Sequence, residues 1–456
     1  MLTSQRAMQI LRLGCFMVGW ALFVSCKLQL DPRTLDEFSS GQHLAWNQQL
    51  SSVVIRDIFT PPVCSRIYAY PNVAAYEALV SGYPSYRSLA GQLNGLENVP
   101  QPEAGKEYYL PLASMVAFAT VAEKLVVSGP DVEKYREDYL KAVRETGIKR
   151  EVFDNSVAYG QRVGAHILAW AGKDNYQESK ARSRYVLTGQ PGEWQPTPPD
   201  YMPAIEPHWR ILRPFALDSA AQCKPTAATP FDTVPGTKFH QEAMEVYQTS
   251  KNLGPEQLQI ARFWDCNPNV SVTRGHVTFF NQKLSPGGHW LSIAAIAVRK
   301  KNLDAMQTAE TFALTSISLA DGFISCWDEK YKCRMIRPET YLERYVDPTW
   351  DPTLQTPPFP EYPSGHSVVS AAAATVLTRL VGSFAFTDST ELAFGMPARS
   401  FASFRQAADE AAVSRLYGGI HFRPAIENGL VQGQKVGEAV LARIQTRRAK
   451  QVASKH

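Results

Sequence analysis

The sequence predicts an all-α protein built from helix bundles, two four-helix-bundle-like halves joined by long proline-rich loops. Three observations carry that reading. Apolar residues recur at three-to-four spacing over long stretches, strict polar–apolar alternation is scarce, and the helical stretches are separated by proline clusters. The chain has 456 residues, enough for one large domain or two to three ordinary ones. Its net charge of +4 is spread along the chain without a basic block, which argues against a nucleic-acid partner.

The N-terminus reads "MLTSQRAMQILRLGCFMVGWALFVSCKLQL". Arg6 and Arg12 precede an apolar stretch over residues 13–25. That stretch is too short to span a bilayer comfortably and suits the core of a signal peptide, assigned here to residues 1–25. Phe23-Val24-Ser25-Cys26 resembles a bacterial lipobox, with Phe23 where leucine is commoner. The match implies cleavage before Cys26, lipid on that cysteine, and an exported protein that is periplasmic or anchored to the outer membrane. An ordinary signal peptide or a short anchor is the plainer alternative. Beyond Cys26 the cysteines are Cys64, Cys223, Cys266, Cys326 and Cys333. An exported location permits disulfides, the sequence does not give their pairing, and no cysteine–histidine spacing resembles a zinc site.

Residues 26–456 form the helical body. "EYYLPLASMVAFATVAEKLVV", "REVFDNSVAYGQRVGAHILAWAG", "HWLSIAAIAVRKK", "LDAMQTAETFALTSISLADGFISCWDEKY" and "IENGLVQGQKVGEAVLARIQ" each carry helical periodicity. The loops "TGQPGEWQPTPPDYMPAIEPHW" and "YVDPTWDPTLQTPPFPEYP" interrupt them, and a soft division of the chain is expected near the first. Long loops of this kind in compact proteins are more often functional than idle.

Three motifs follow within residues 327–424. In "WDEKYKCRMIRPETYL", Lys330 and Arg337 are two helical turns apart. Their Cα atoms would be roughly 10 Å apart on one face, with the helix ending at Arg337 ahead of Pro338. In "PPFPEYPSGHSVVSAAAATVL", Ser364 and Gly365 open a helix, where unpaired N–H groups and a partial positive charge favour an anion. His366 follows immediately, a group that can move protons near neutral pH. In "SRLYGGIHFRPAIENG", Arg415 ends a helix that Gly418-Gly419 terminates, His421 follows, and Arg423-Pro424 opens the next helix. Taken singly, each motif has a bland explanation: a solvated basic face, a helix cap, a structural histidine.

Taken together and in order, Lys-x6-Arg-Pro, Pro-Ser-Gly-His and Ser-Arg-x5-His resemble the signature shared by vanadium-dependent haloperoxidases and type-2 phosphatidic acid phosphatases. The matching positions are Lys330, Arg337 and Pro338; Pro363, Ser364, Gly365 and His366; Ser414, Arg415 and His421. The resemblance implies that Lys330, Arg337, Ser364, the Gly365 N–H and Arg415 bind vanadate. It implies that His421 is the axial vanadium ligand and His366 the acid–base histidine. Hydrogen peroxide and halide are the implied substrates, with the metal as Lewis acid. Trp327 and Phe359 stand three residues before the lysine and seven before His366, where haloperoxidases that oxidise chloride and iodide resemble this chain. There they would form an apolar wall, although plain core packing explains them equally. "ARFWDCNPNVSVTRGHVTFFNQK" resembles a family segment whose aspartate pairs with the site arginine, so Asp265 is expected opposite Arg415. Many relatives carry aspartate four residues past the last histidine, where this chain has Ala425. The orientation of His421 is therefore expected to rest on another acceptor, such as a backbone carbonyl.

The rival reading is a phosphatase of the same superfamily, in which His421 attacks phosphorus and His366 protonates the leaving alcohol. The Trp327 and Phe359 match, and the absence of a second long apolar run in the sequence, favour the peroxidase. A binding lipoprotein is a third class, but binding alone does not call for an acid–base histidine beside an axial one. Iodide is the expected halide, because it is the easiest to oxidise and because exported bacterial lipoproteins most resemble the iodide-specific members. Oligomeric state is open.

Overall fold

The computed structural model describes residues 32–448 except 269, 275 and 281. The signal-peptide stretch and Cys26 lie outside the described residues. The first half contains α1 (Pro32–Arg56), α2 (Pro61–Val80), α3 (Leu110–Leu125), α4 (Gly129–Glu145), α5 (Arg150–Ala171) and α6 (Tyr176–Ala181). After the first proline-rich loop come α7 (Lys238–Lys251), α8 (Pro255–Phe263), a hairpin of β1 (Ser271–Arg274) and β2 (Val277–Phe280), and α9 (Pro286–Lys301). The remainder comprises α10 (Ala305–Cys333), α11 (Pro338–Tyr345), α12 (Gly365–Val381), β3 (Phe386–Asp388), β4 (Arg399–Phe401), α13 (Phe404–Tyr417) and α14 (Arg423–Arg443). Each helical stretch named from periodicity is a helix.

The central element is α10. Asp304 caps it, accepting a hydrogen bond from the Gln307 N–H, and the Gln307 side chain returns a bond to the Asp304 N–H at 3.1 Å. The helix is buried from Ala305 to Tyr331 with hardly a break, as an all-round apolar and small-residue surface requires. Several of its buried hydroxyls are satisfied locally, Thr311 donating to the Gln307 carbonyl at 2.8 Å and Ser318 to that of Thr315 at 2.8 Å, while the Thr315 hydroxyl has no partner. One face of α10 packs on α2 and the other on α12. The helices α2, α3 and α5 pack together on the first side, and α12, α13 and α14 on the second. Asp321 on α10 ties in the intervening loop by accepting from the N–H groups of Phe215, Ala216 and Leu217 at 2.7–3.0 Å.

The stripe Gly429, Gly433 and Gly437 brings α14 unusually close to α12. A Cβ on Gly433 would lie 2.0 Å from the Val368 carbonyl oxygen, and one on Gly437 would lie 2.8 Å from Thr375. That approach fixes the start of α12, where the Ser364 N–H donates to the Ala425 carbonyl at 3.0 Å.

Two details differ from the sequence reading. The helix carrying Lys330 ends at Cys333, not at Arg337: Arg334 turns left-handed at φ 54° and Arg337 becomes the N-cap of α11. Pro338 prefers the first turn of a new helix to the last turn of an old one, so the two cations are not on one helical face. Two short hairpins, β1–β2 and β3–β4, were also not expected. Cys64, Cys223, Cys266, Cys326 and Cys333 are all free. Among the described residues no helix is long and apolar enough to cross a membrane.

Candidate active site

Four helix ends converge on one point. Lys330 comes from the last turn of α10, Arg337 from the cap of α11, Ser364-Gly365-His366 from the start of α12, and Arg415 from the last turn of α13. Just past α13 the chain turns at Gly419, with φ 75°, and delivers His421 ahead of α14. The punctuation that marked these motifs in sequence is what aims the side chains: Pro338, Gly365, Gly418-Gly419 and Pro424 all stop or start helices there.

The three cations are fully buried, and backbone carbonyls hold them. Lys330 Nζ donates to the carbonyls of Pro360 and Glu361, both at 2.9 Å. Arg337 donates to those of Phe359 at 2.8 Å, Ile420 at 2.8 Å and Pro357 at 3.4 Å. Arg415 donates to those of Trp264 at 2.8 Å and Ala261 at 3.3 Å. Burial pulls the Lys330 ammonium down to about 7, with Arg337 adding to the effect, and pulls Arg337 down to about 10.

His421 sits among these cations as a neutral imidazole. Burial first, then the charges of Arg337 and Lys330, holds it well below the ordinary histidine range. Its tautomer follows from its neighbours. Arg337 Nη1 lies 3.2 Å from Nε2 and can only donate, so Nε2 is the acceptor and Nδ1 carries the hydrogen. Nδ1–H donates to Glu361 Oε1 at 2.8 Å, and the Phe422 N–H donates to the same oxygen at 2.9 Å. A carboxylate, not a backbone carbonyl, therefore orients His421. Burial pushes Glu361 up to about 7, with Arg337 and Lys330 opposing it. The sequence reading passed over Glu361. The signal that could have found it is an acid stranded between Pro360 and Tyr362 in an otherwise apolar loop.

His366 is the second histidine. Its Nε2 is buried and makes no hydrogen bond. Burial, followed by the nearby Arg415, holds it well below its usual range, so it too is neutral and able to accept a proton. Gly365 abuts Trp327, whose ring would lie 3.4 Å from a Cβ at that position. The Trp327 and Phe359 rings are 4.9 Å apart and make the apolar wall that was expected. Behind Phe359 lie Lys330 Nζ and the Arg337 guanidinium, 5.0 and 4.9 Å from its ring centre.

Asp265, Cys266, Trp327, Phe359, Gly365, His366, Arg415 and His421 line one enclosed cavity, with about 30 Å³ open to the centre of a water-sized molecule. That exceeds the roughly 10–15 Å³ a single water needs. Ser364 is fully buried and serves as the N-cap of α12, accepting from the Ser367 N–H at 3.3 Å. Asp265 departs from expectation: it pairs with Lys283 at 2.5 Å, while its charge reaches Arg415 at longer range and is the largest influence opposing burial there.

These residues suit a tetrahedral oxyanion such as vanadate. Arg415, the α12 N-terminus at Gly365, His421 and an unbonded nitrogen on His366 line one small space, and Arg337, 3.2 Å from His421 Nε2, and Lys330 add buried positive charge outside that lining.

Residues 310–450 match the family model described as the VCPO second helical-bundle domain. The chain is similar to a bacterial vanadium-dependent iodoperoxidase, with 46% identity and a TM-score of 0.85 over 90% of this chain and 98% of that one. It shares its fold with holo and apo forms of a bacterial vanadium-dependent chloroperoxidase. Both are 16% identical over 84% of this chain, at TM-scores of 0.62 and 0.64 and over 92% and 94% of those chains. No curated protein matches.

Proposed function

Since the chain belongs to the vanadium-dependent haloperoxidase family, we infer that it is an iodide-oxidising member and that the converging residues are its working parts. It is a vanadium haloperoxidase: it uses hydrogen peroxide to oxidise halide, with vanadate as cofactor. The observation that carries the site assignment is the neutral, oriented His421, whose acceptor nitrogen meets the buried Arg337 at 3.2 Å and feels the charges of Lys330 and Arg415.

Bound vanadate supplies the Lewis acid on which peroxide is activated. The chain does the rest. Lys330, Arg337 and Arg415 supply positive charge in a low-dielectric pocket, where each interaction is stronger than in water. Ser364 and the Gly365 N–H add hydrogen bonds at the start of α12. His421 would hold vanadium through Nε2, and Glu361 sustains the basicity of that nitrogen through Nδ1–H. His366, neutral and unbonded at Nε2, accepts a proton from incoming peroxide. Trp327 and Phe359 keep water from one side and leave an apolar approach for a large, weakly hydrated halide. Chloride- and iodide-oxidising relatives share that wall, so it is the 46% identity to an iodoperoxidase that supports iodide over chloride.

The deciding test is peroxide-dependent oxidation of iodide, bromide and chloride by purified protein, with and without added vanadate. Vanadate-dependent turnover of iodide well above that of the other two is expected, and comparable chloride turnover would remove the iodide assignment.

We also propose export with lipid on Cys26, motivated by Arg6, Arg12 and the lipobox-like Phe23-Val24-Ser25-Cys26. Mass spectrometry of the mature N-terminus should find a lipid-modified Cys26. An intact Met1 would contradict it.

A further inference from the structure

Sharing Cys266 with the wall of that cavity is a second cluster that the halide chemistry does not use. Cys266 follows α8, His289 stands in the first turns of α9, and Glu391 belongs to the short helical turn Thr390–Phe394. All three are buried, and one ligand atom from each lies within 4.8 Å of the others. The His289 ring is completely buried, stacked on Trp264 at 4.6 Å. Its Nε2 is 2.7 Å from Asp388 Oδ2. Its Nδ1 is 3.3 Å from Cys266 Sγ and 3.1 Å from Glu391 Oε1.

Protons alone serve this arrangement poorly. Nδ1 can carry a single hydrogen, and both a sulfur and a carboxylate oxygen face it. That one hydrogen cannot serve both, and Glu391 Oε1 is buried without a hydrogen bond. A buried carboxylate oxygen in that condition is destabilising. A cation shared by the sulfur, the nitrogen and the oxygen satisfies all three. We propose that Cys266, His289 and Glu391 form a binding site for a divalent transition-metal ion of the zinc class.

Four features fit this assignment. Thiolate, imidazole and carboxylate are the ligand types zinc takes, and three protein ligands leave a fourth position for water. Bonds of about 2.0–2.3 Å put tetrahedral ligand atoms roughly 3.3–3.8 Å apart. The observed 3.1 and 3.3 Å need only a few tenths of an ångström of opening. Asp388 stands where the outer partner of a metal-bound histidine belongs, taking the hydrogen of the other ring nitrogen and fixing Nδ1 as the ligand. Asp388 is itself held, since its Oδ1 accepts the Thr390 N–H at 2.9 Å.

The position gives the ion a structural purpose. Cys266 immediately follows Trp264 and Asp265, and the Trp264 carbonyl holds Arg415. An ion there would join that segment to α9 and to the β3–β4 region, and so stiffen the wall that positions Arg415. It would be distinct from vanadate, which needs the acceptor nitrogen of His421 and not a thiolate.

The test is a cobalt titration of the full-length, chelator-treated protein in phosphate-free buffer without vanadate. A bound cobalt ion with a thiolate ligand gives a near-ultraviolet charge-transfer band. One equivalent per chain should bind with that band, and zinc should displace it. Cys266→Ser should abolish the band, Glu391→Gln should weaken binding at least tenfold, and Asp388→Asn should weaken it about 10- to 100-fold. In unmutated protein, micromolar zinc should raise the unfolding midpoint while magnesium does not. A wild-type protein that shows no sulfur band, or no zinc-specific rise in midpoint, overturns the proposal. So does a band that survives intact in Cys266→Ser.

Discussion

Replacing Glu361 with glutamine tests the reading of His421 most directly, because two physical effects then act in opposite directions. The glutamine oxygen can still accept from His421 Nδ1 and the Phe422 N–H, which now reach Glu361 Oε1 at 2.8 and 2.9 Å. The bond to Nδ1 loses its charge assistance, and a charged hydrogen bond is worth about 1–1.5 kcal/mol more than a neutral one. His421 Nε2 becomes a poorer ligand by roughly tenfold, at the lower end of what outer partners of metal-bound histidines contribute. Removing a buried negative charge also makes the pocket more attractive to any anion. That gain is larger the lower the local dielectric and is reduced by the fraction of Glu361, pushed up to about 7, that is already protonated. Vanadate affinity alone could therefore rise or fall. The ratio of vanadate to phosphate affinity separates the two. Both are tetrahedral oxyanions and feel the charge alike, but only vanadium takes a fifth ligand in its resting state. Glu361→Gln should lower that ratio about tenfold. Vanadate affinity comes from iodide oxidation against vanadate concentration, and phosphate affinity from competition at several fixed phosphate levels. A ratio unchanged within twofold would mean that Glu361 does not tune His421. Failure of phosphate to compete would mean that the two anions do not share this site.

His366→Ala should retain vanadate binding and lose about 10²- to 10⁴-fold in turnover, the usual worth of a positioned acid–base group; a fully active variant would remove His366 from the reaction. Gly433→Ala should destabilise the fold by about 1–3 kcal/mol, because the added Cβ would sit 2.0 Å from the Val368 carbonyl and force α14 off α12; an unchanged urea midpoint would show that the helices can separate freely. His43 is buried against Asn72 at 2.8 Å, and burial lowers its pKa from 6.5 to about 4. A lowered folded-state pKa gives stability that is complete above 6.5 and is lost as pH falls through about 4, here roughly 3 kcal/mol. Urea unfolding between pH 7 and 4 should show that loss in the wild type and a flatter dependence in His43→Gln, and parallel curves would contradict it.

The site was legible where function coincides with helix punctuation. Arg337, His366, Arg415 and His421 all sit within a few residues of a proline or glycine that starts or stops a helix, so local sequence announces them, and Lys330 is found by its spacing to Arg337 and Pro338. What escaped has its partner far along the chain. Glu361 meets His421 across 60 positions, and the Arg415 guanidinium meets the Trp264 carbonyl across 151. No periodicity encodes such pairings. Asp265 was expected opposite Arg415, but its direct partner is Lys283, which lies beyond an intervening hairpin. The break after Cys333 was hidden for a different reason. An arginine takes the left-handed cap at φ 54°, where glycine or asparagine would have signalled it, and packing has overridden that local preference.

The carbonyl cradle explains why these cations are available to an anion at all. Burying Lys330, Arg337 and Arg415 costs several kcal/mol each unless something compensates. Pairing each with a carboxylate would compensate fully and leave no net charge for an oxyanion. Backbone carbonyls instead take up the N–H directions and fix the geometry, but being dipoles they do not cancel the charge. The incomplete compensation is visible in the two groups most deeply involved, with Lys330 drawn down to about 7 and Arg337 to about 10. An oxyanion entering the cavity restores both towards their ordinary values, so part of the cost of burial in the empty protein returns as binding energy. The carboxylate of Glu361 points at the Nδ1–H of His421. It thereby raises the basicity of the axial nitrogen without bonding directly to any of the three cations. A second carboxylate bonded to Arg337 or Lys330 would weaken anion binding, and the carbonyls of Pro357, Phe359, Pro360, Glu361 and Ile420 already occupy the directions from which one could approach. The proline-rich loop is therefore structural in a specific sense: it supplies four of those five carbonyls, and prolines at 357, 358, 360 and 363 leave it few N–H groups of its own, of which that of Phe359 donates to the Pro357 carbonyl at 2.9 Å.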